Sequence, residues 1–197
     1  MNTLKAEKRS MDVKAKKLRR EGFVTGNLFG REIEGSIPLK FTKKEIEVLL
    51  KNNNKGSQVM LELDGKTYDA LIKEVDYNPL AHTVEEVDFQ ALVSNEMVHS
   101  TAEIILENEE KVMSGVLQDE VKEVAYKALP ADLVDKIKVD VAGMKIGDTL
   151  RVKDLEIAKN KNIHITTDPE AVVATVTPVH NVVPETETEA EETAEEK

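Results

Sequence analysis

The sequence predicts a mainly β protein with few short helices, built as two small β-rich domains and an acidic tail. Three observations carry that expectation. Apolar and polar residues alternate with period two in several runs, the pattern of half-buried strands. Turn signals interrupt these runs about every 8–12 residues, a spacing typical of barrels and sandwiches rather than of a parallel βαβ sheet. The last segment, PETETEAEETAEEK, is acidic and lacks aromatics. It has too little apolar surface to offset the entropy of ordering and is expected to be disordered. The 197-residue length fits one to two domains.

Ser36–Phe41 alternates as a strand, with Pro38 suggesting an edge or a strand start. Thr42-Lys43-Lys44-Glu45 reads as a capping box, and Ile46, Leu49 and Leu50 follow at helical spacing. Asn52-Asn53-Asn54 and Gly56 end that helix. Val59, Leu61 and Leu63 alternate up to Asp64-Gly65, a two-residue hairpin signal, and the chain returns through Tyr68, Ala70 and Ile72 until Asn78-Pro79. Val84–Leu92 is another strand, with Val87, Phe89 and Ala91 on one face and Glu86, Asp88 and Gln90 on the other. Ser94-Asn95-Glu96 marks a boundary, giving expected units over 1–93, 94–183 and 184–197. Beyond it, strands are expected at Thr101–Leu106, Val112–Leu117, Glu120–Leu129, Ile137–Val141, Thr149–Val152 and Ala171–Val179. A short helical turn is expected at Pro130-Ala131-Asp132.

Composition removes several classes. No Cys is present, which excludes disulfides, thiolate zinc sites and cysteine nucleophiles. The four histidines, at 82, 99, 164 and 180, form no metal-ligand spacing. No nucleophile elbow, P-loop or dinucleotide fingerprint occurs, so no enzyme, metal, cofactor or small-molecule substrate is expected. Gly22, Gly26 and Gly30 read as turns or as a tight backbone approach in a barrel. No apolar run approaches the roughly 18 residues of a spanning helix, and the start has no apolar secretory core. A cytoplasmic protein without membrane contact is expected.

The net charge of −11 conceals an asymmetry. Residues 1–20 carry +6, residues 184–197 carry −6, and the stretch between them carries −11. Exposed charges are screened beyond about 8–10 Å, so the local count decides what meets each end. The basic leader points to a polyanion there. Its densest part is Lys14-Ala15-Lys16-Lys17-Leu18-Arg19-Arg20-Glu21-Gly22. Guanidinium groups grip phosphate bidentately and stack on bases, lysines supply point charge, Leu18 can anchor the segment, and Gly22 can end a helical turn.

LKAEKR at 4–9, KKLRREG at 16–22, Phe29-Gly30, ALIKEVDYNP at 70–79 and VDFQAL at 87–92 occur in that order. ALPADLVDKIKVDVAGMKIGDTLRVKDL at 128–155 and DPEAVVATV at 168–176 follow. This ordered set resembles the twenty-fifth protein of the bacterial large ribosomal subunit, in the two-domain form also called the general stress protein Ctc family. The resemblance implies an N-terminal six-stranded β-barrel that binds 5S ribosomal RNA at an irregular internal loop and the adjoining helix, and a C-terminal β-rich domain. Such a site suits a protein, because the major groove of regular A-form RNA is too narrow to read. It also implies a ribosome-associated, cytoplasmic protein whose partners are 5S ribosomal RNA, the large subunit and a neighbouring ribosomal protein met through the C-terminal domain.

Carried over by residue, the basic contacts fall on Arg9, Arg19 and Arg20, with Lys14, Lys16 and Lys17 close enough to reach phosphates. The acidic contact falls on Asp88, which can accept from a base amine or a 2′-hydroxyl. Three positions depart from the family pattern. Phe29 stands where Tyr is usual, Glu86 stands where His is usual, and Val24-Thr25-Gly26 stands where Pro is often found. Glu86 and Asp88 share a strand face, about 6–7 Å apart, and turn like charge toward phosphates. Covering them with RNA then requires a cation, a proton or a rearrangement. Glu86→His is expected to tighten RNA binding by roughly 1–3 kcal/mol. A second reading is a diverged stress-related paralogue that keeps the fold but acts as a protein-interaction module with weak or no RNA binding.

Overall fold

Leu4 and Ala6 are buried between exposed neighbours, so the chain opens as a strand, β1 (Thr3–Lys8). The computed structural model describes residues 3–112 and 115–178. The basic leader continues into a short helix, α1 (Ala15–Arg20), which buries Leu18 alone. Next come β2 (Phe23–Phe29) and β3 (Ser36–Thr42). Thr42 caps α2 (Lys43–Asn52) through the expected capping box with Glu45, and Ile46 and Leu49 are buried. β4 (Gln58–Leu63) turns at Asp64, which takes a φ of +50°, into the long β5 (Lys66–Asn78). β6 (Thr83–Ala91) follows.

These six strands close a barrel in the order β1-β3-β2-β6-β5-β4, as the resemblance implied. Closure is assisted by two parallel pairings, β1 with β4 and β2 with β6. Alternate residues point inward, so Val24, Leu28, Leu39, Phe41, Val59, Leu61, Ile72, Val87 and Phe89 fill the interior, joined by Ile46 and Leu49 of α2. Phe41 and Phe89 meet at 5.4 Å with a tilt of 55°. Pro38 does not start β3 but lies inside it, where the β1 pairing ends; Arg9 donates its N–H to the Pro38 carbonyl. β1 and β2 lie outside the strands legible from alternation. In β2, Val24, Thr25 and Gly26 are buried consecutively, and Gly26 leaves no apolar side chain at the inward position between Val24 and Leu28.

The second domain starts with β7 (Val98–Glu107), then β8 (Val116–Asp119), β9 (Glu123–Ala128) and β10 (Lys136–Asp140). β11 (Thr149–Arg151), β12 (His164–Ile165) and β13 (Val172–Thr177) complete it. A 3-10 turn occupies Pro130–Asp132, as expected. The strand expected from Val112 begins at Val116 instead, and the one expected from Glu120 begins at Glu123 and ends at Ala128, where Pro130 prevents continuation. Two sheets form, β10-β7-β9-β12 and β11-β13-β8. Between them lies a second core containing Val124, Tyr126, Ile137, Val152, Leu155 and Val173. The acidic tail, Val179 and His180 lie outside the described residues.

Tyr126 is fully buried, and its hydroxyl donates to the Val134 carbonyl at 2.6 Å while accepting the Val134 N–H at 2.8 Å. Burial pushes the phenol above its ordinary pKa. Tyr126→Phe would orphan both backbone groups and is expected to cost about 1–3 kcal/mol in thermal unfolding.

The two domains pack along one side of β5. Ala70 and Ile72 belong to the barrel core, and Leu71 between them is equally buried, so β5 is covered on both faces. Leu71 lines a hollow together with His99, Ser100 and Thr101 of β7. Asn54 donates to the Glu103 carboxylate across this seam, and Ser57 Oγ donates to Asp135 Oδ2 at 3.2 Å.

Candidate nucleic-acid interface

The outer surface of the barrel beside α1 gathers most of the candidate residues. Its geometry begins with Gly26. A Cβ there would lie 2.1 Å from the Val87 carbonyl oxygen, so only glycine lets β2 run this close to β6. The register sets Thr25 beside Glu86 and Leu28 beside Phe89. Between these pairs, Asp88 Oδ1 accepts the backbone N–H of Asn27 and its Nδ2, both at 3.0 Å. The Asn27 amide also donates to Glu86 Oε1 at 3.3 Å. Asn27 therefore fixes both carboxylates with one side chain.

Arg19 is held from the other side. Leu18 anchors α1 in the protein, and the next residue reaches across to β6. Arg19 Nε donates to the Glu85 carbonyl at 3.1 Å and Nη2 to Glu86 Oε2 at 3.1 Å, while Nη1 lies 3.4 Å from Glu85 Oε2. The cation that the Glu86–Asp88 pair requires is thus supplied from within the chain. Arg19 is half-buried, and Lys14, Lys16, Lys17 and Arg20 are exposed around it. Lys17 pairs loosely with Glu21 at 3.9 Å. Arg9 lies at the end of β1; its Nη2 donates to the Val13 carbonyl at 3.2 Å, and its buried Nε has no acceptor among the described residues. Phe29 is half-buried at the far end of β2, opposite Ser36 and Gln90. Arg19, Glu86 and Asp88 therefore form one connected group with Asn27, while Arg9 and Phe29 stand apart from it.

The register adds two carboxylates that the sequence reading did not single out. In the antiparallel pair of β5 and β6, Glu74 lies opposite Asp88 and Asp76 opposite Glu86. All four line one hollow of about 110 Å³. Like charges directly opposite on neighbouring strands destabilise a sheet, so this face is costly to the isolated protein. Among the described residues, no cluster of three or more His, Asp or Glu side chains has metal-binding geometry. Ionised carboxylates only accept hydrogen bonds. The wide, shallow minor groove of A-form RNA presents donors to such a surface, the 2′-hydroxyls and the guanine amino group. Phosphates would meet the cations of α1.

Asn27, Glu74, Asp76 and Glu85 were not legible as site residues. Asn27 sits in the strand that alternation missed, and the other three join the face only through the β5–β6 register and the reach of Arg19.

Comparisons with known proteins match this architecture domain by domain. The Ribosomal L25p family matches residues 4–89, and the family described as ribosomal protein TL5, C-terminal domain, matches residues 97–180. The chain is similar to the large ribosomal subunit protein bL25 of Moorella thermoacetica, 31% identical over 91% of this chain and 86% of that protein. The bL25 of Bacillus velezensis is 31% identical over 90% and 89% of the two chains. That of Caldanaerobacter subterraneus is 30% identical over 98% of each. With both domains matched in order and whole-length relatives at this identity, the chain belongs to the bacterial bL25 family of large ribosomal subunit proteins, in the two-domain form with a TL5-type C-terminal domain.

Proposed function

We propose that the chain is a non-enzymatic protein of the large ribosomal subunit that binds 5S ribosomal RNA through α1 and the adjoining barrel face. The observation that carries this reading is the pairing of a cation-bearing helix with an acceptor-lined face, tied together by Arg19 and Asn27. Lys14, Lys16, Lys17 and Arg20 meet phosphates, and Asp88 and its neighbours accept from the groove. The barrel over 1–93 carries this contact, and the unit over 94–183 meets its surroundings on the subunit. Family membership supports a ribosome-associated place in the cytoplasm. The paralogue alternative gains nothing from relatives that are bL25 proteins across nearly the whole chain.

A titration of the full chain against 5S ribosomal RNA at two salt concentrations, with a regular RNA duplex as control, tests this. Each neutralised phosphate contributes about 0.9 to the slope of log affinity against log salt. Four such contacts predict a loss of about 10²-fold between 50 and 200 mM salt, on the same rule. Binding to 5S RNA no tighter than to the duplex would reject the reading.

A further inference from the structure

A row of basic and imidazole side chains crosses the seam between the two domains. His99 on β7 lies opposite Lys127 on β9, and Lys127 lies opposite His164 on β12. Residues directly opposite on neighbouring strands share a face, about 5 Å apart. All three are exposed, whereas Val98, Ser100, Tyr126 and Ala128 beside them are buried, so the row faces solvent. Lys73 of β5 closes the row on the barrel side, where its ammonium donates to the His99 carbonyl at 2.8 Å.

Neither Lys73 nor Lys127 has a carboxylate within 4.0 Å among the described residues. Lys55, which lines the same seam hollow of about 280 Å³, pairs only loosely with Glu123 at 3.9 Å. Burial and the Lys55 charge pull the Lys73 ammonium below its ordinary pKa. Burial, Lys127 and Lys73 do the same to the His99 imidazole. Burial comes first in both shifts; His99 is thereby held as a neutral imidazole that donates an N–H, and the charge of the row rests on Lys73 and Lys127. Acids also border this surface: Glu74 lines the hollow, and Glu103 and Glu123 lie opposite each other further along β7 and β9, where Glu103 accepts from Asn54.

We propose that Lys73, His99, Lys127 and His164 form a second phosphate-contacting track, which carries a bound RNA from the barrel face onto the C-terminal domain. Glu74 lines both the seam hollow and the carboxylate hollow of the barrel, so the two surfaces adjoin. The carboxylates then lie between two sets of cations, Arg19 and α1 on the β6 side and the Lys73 row on the β5 side. That is the arrangement a duplex minor groove requires, because two sugar–phosphate backbones flank every groove. An acidic protein surface would leave the acceptor strip between the cations without donors. The proposal rests on the RNA reading above, but the track recognises phosphate and is indifferent to sequence.

The test uses the full chain and two RNAs, 5S ribosomal RNA and a regular duplex, titrated at several salt concentrations. Lys127→Gln replaces an exposed side chain, and Lys73→Gln/Lys127→Gln removes both unpaired cations; thermal unfolding reports whether each keeps the fold. Lys127→Gln is expected to weaken both RNAs by about 2–4-fold and to lower the salt slope by about 0.9. The double variant should lose about 10-fold on each RNA, with a slope reduced by about 1.8. If Lys127→Gln leaves affinity and slope unchanged on both RNAs while Arg20→Gln weakens them, the track is overturned and the barrel reading stands. If 5S RNA binds no better than the duplex, yet Lys127→Gln weakens both, the track stands and the 5S reading falls.

Discussion

Gly26→Ala is expected to destabilise the barrel by about 3 kcal/mol or more, at or beyond the upper end of ordinary overpacking. For a domain of about 90 residues that corresponds to a fall in Tm of roughly 12–24 °C. The new methyl would lie 2.1 Å from the Val87 carbonyl oxygen and 3.3 Å from the Phe41 ring. The first neighbour is backbone, so it cannot rotate away. It moves only if β2 separates from β6, and that separation breaks the parallel ladder from Thr25–Glu86 to Phe29–Gln90. It also withdraws Asn27 from Asp88, so RNA binding should fall with stability. Gly143→Ala is the matched control, because nothing lies within 4 Å of a Cβ there. It should change stability by less than about 0.5 kcal/mol. Equal thermal unfolding of the two variants would refute the close approach of β2 and β6.

The same glycine shows how much of the fold the sequence discloses. Strands with one wet face were legible, because each polar residue marks the period: β4 reads directly from Val59, Leu61 and Leu63, and Asp64-Gly65 fixes its turn. The α2 capping box was legible because its chemistry is local to four residues. β2 was not, since Gly26 interrupts the inward series between Val24 and Leu28 and leaves no side chain to mark the period there. Its glycine could be read as a tight approach, but its partner strand could not. The site divides along the same line. Arg19, Glu86 and Asp88 came from local charge and from resemblance. Glu74 and Asp76 needed the β5–β6 register, and that register slips between Ile72 and Glu74 and again between Asp76 and Tyr77, irregularities that no period-two count can place. Asn27 needed the parallel pairing of β2 with β6, a contact between residues about sixty positions apart.

Arg19→Ala is expected to weaken 5S RNA binding by about 2–3 kcal/mol, against about 0.5–1 kcal/mol for Lys16→Ala or Lys17→Ala. The difference arises because Arg19 acts twice. Its guanidinium has five N–H donors, and the contacts to Glu85 and Glu86 leave part of the fork free for a phosphate. Removing it deletes that contact and also leaves Glu85 and Glu86 unpaired beside Asp76 and Asp88, turning uncompensated negative charge toward the RNA. Glu86→Gln acts in the opposite sense. The amide oxygen still accepts from Asn27, the amide NH2 that then faces Arg19 releases that guanidinium toward phosphate, and one charge leaves the face, which should tighten binding by about 1 kcal/mol. Glu86→His adds a donor as well and should gain within the range of about 1–3 kcal/mol. The two sites must be coupled. In the Arg19→Ala background Glu86 is a bare charge, so Glu86→Gln should there recover about 2 kcal/mol, which gives an interaction of about 1 kcal/mol in the double-mutant cycle. Additivity within about 0.3 kcal/mol would mean that RNA breaks the Arg19–Glu86 pair on binding and that the pair belongs to the free protein alone.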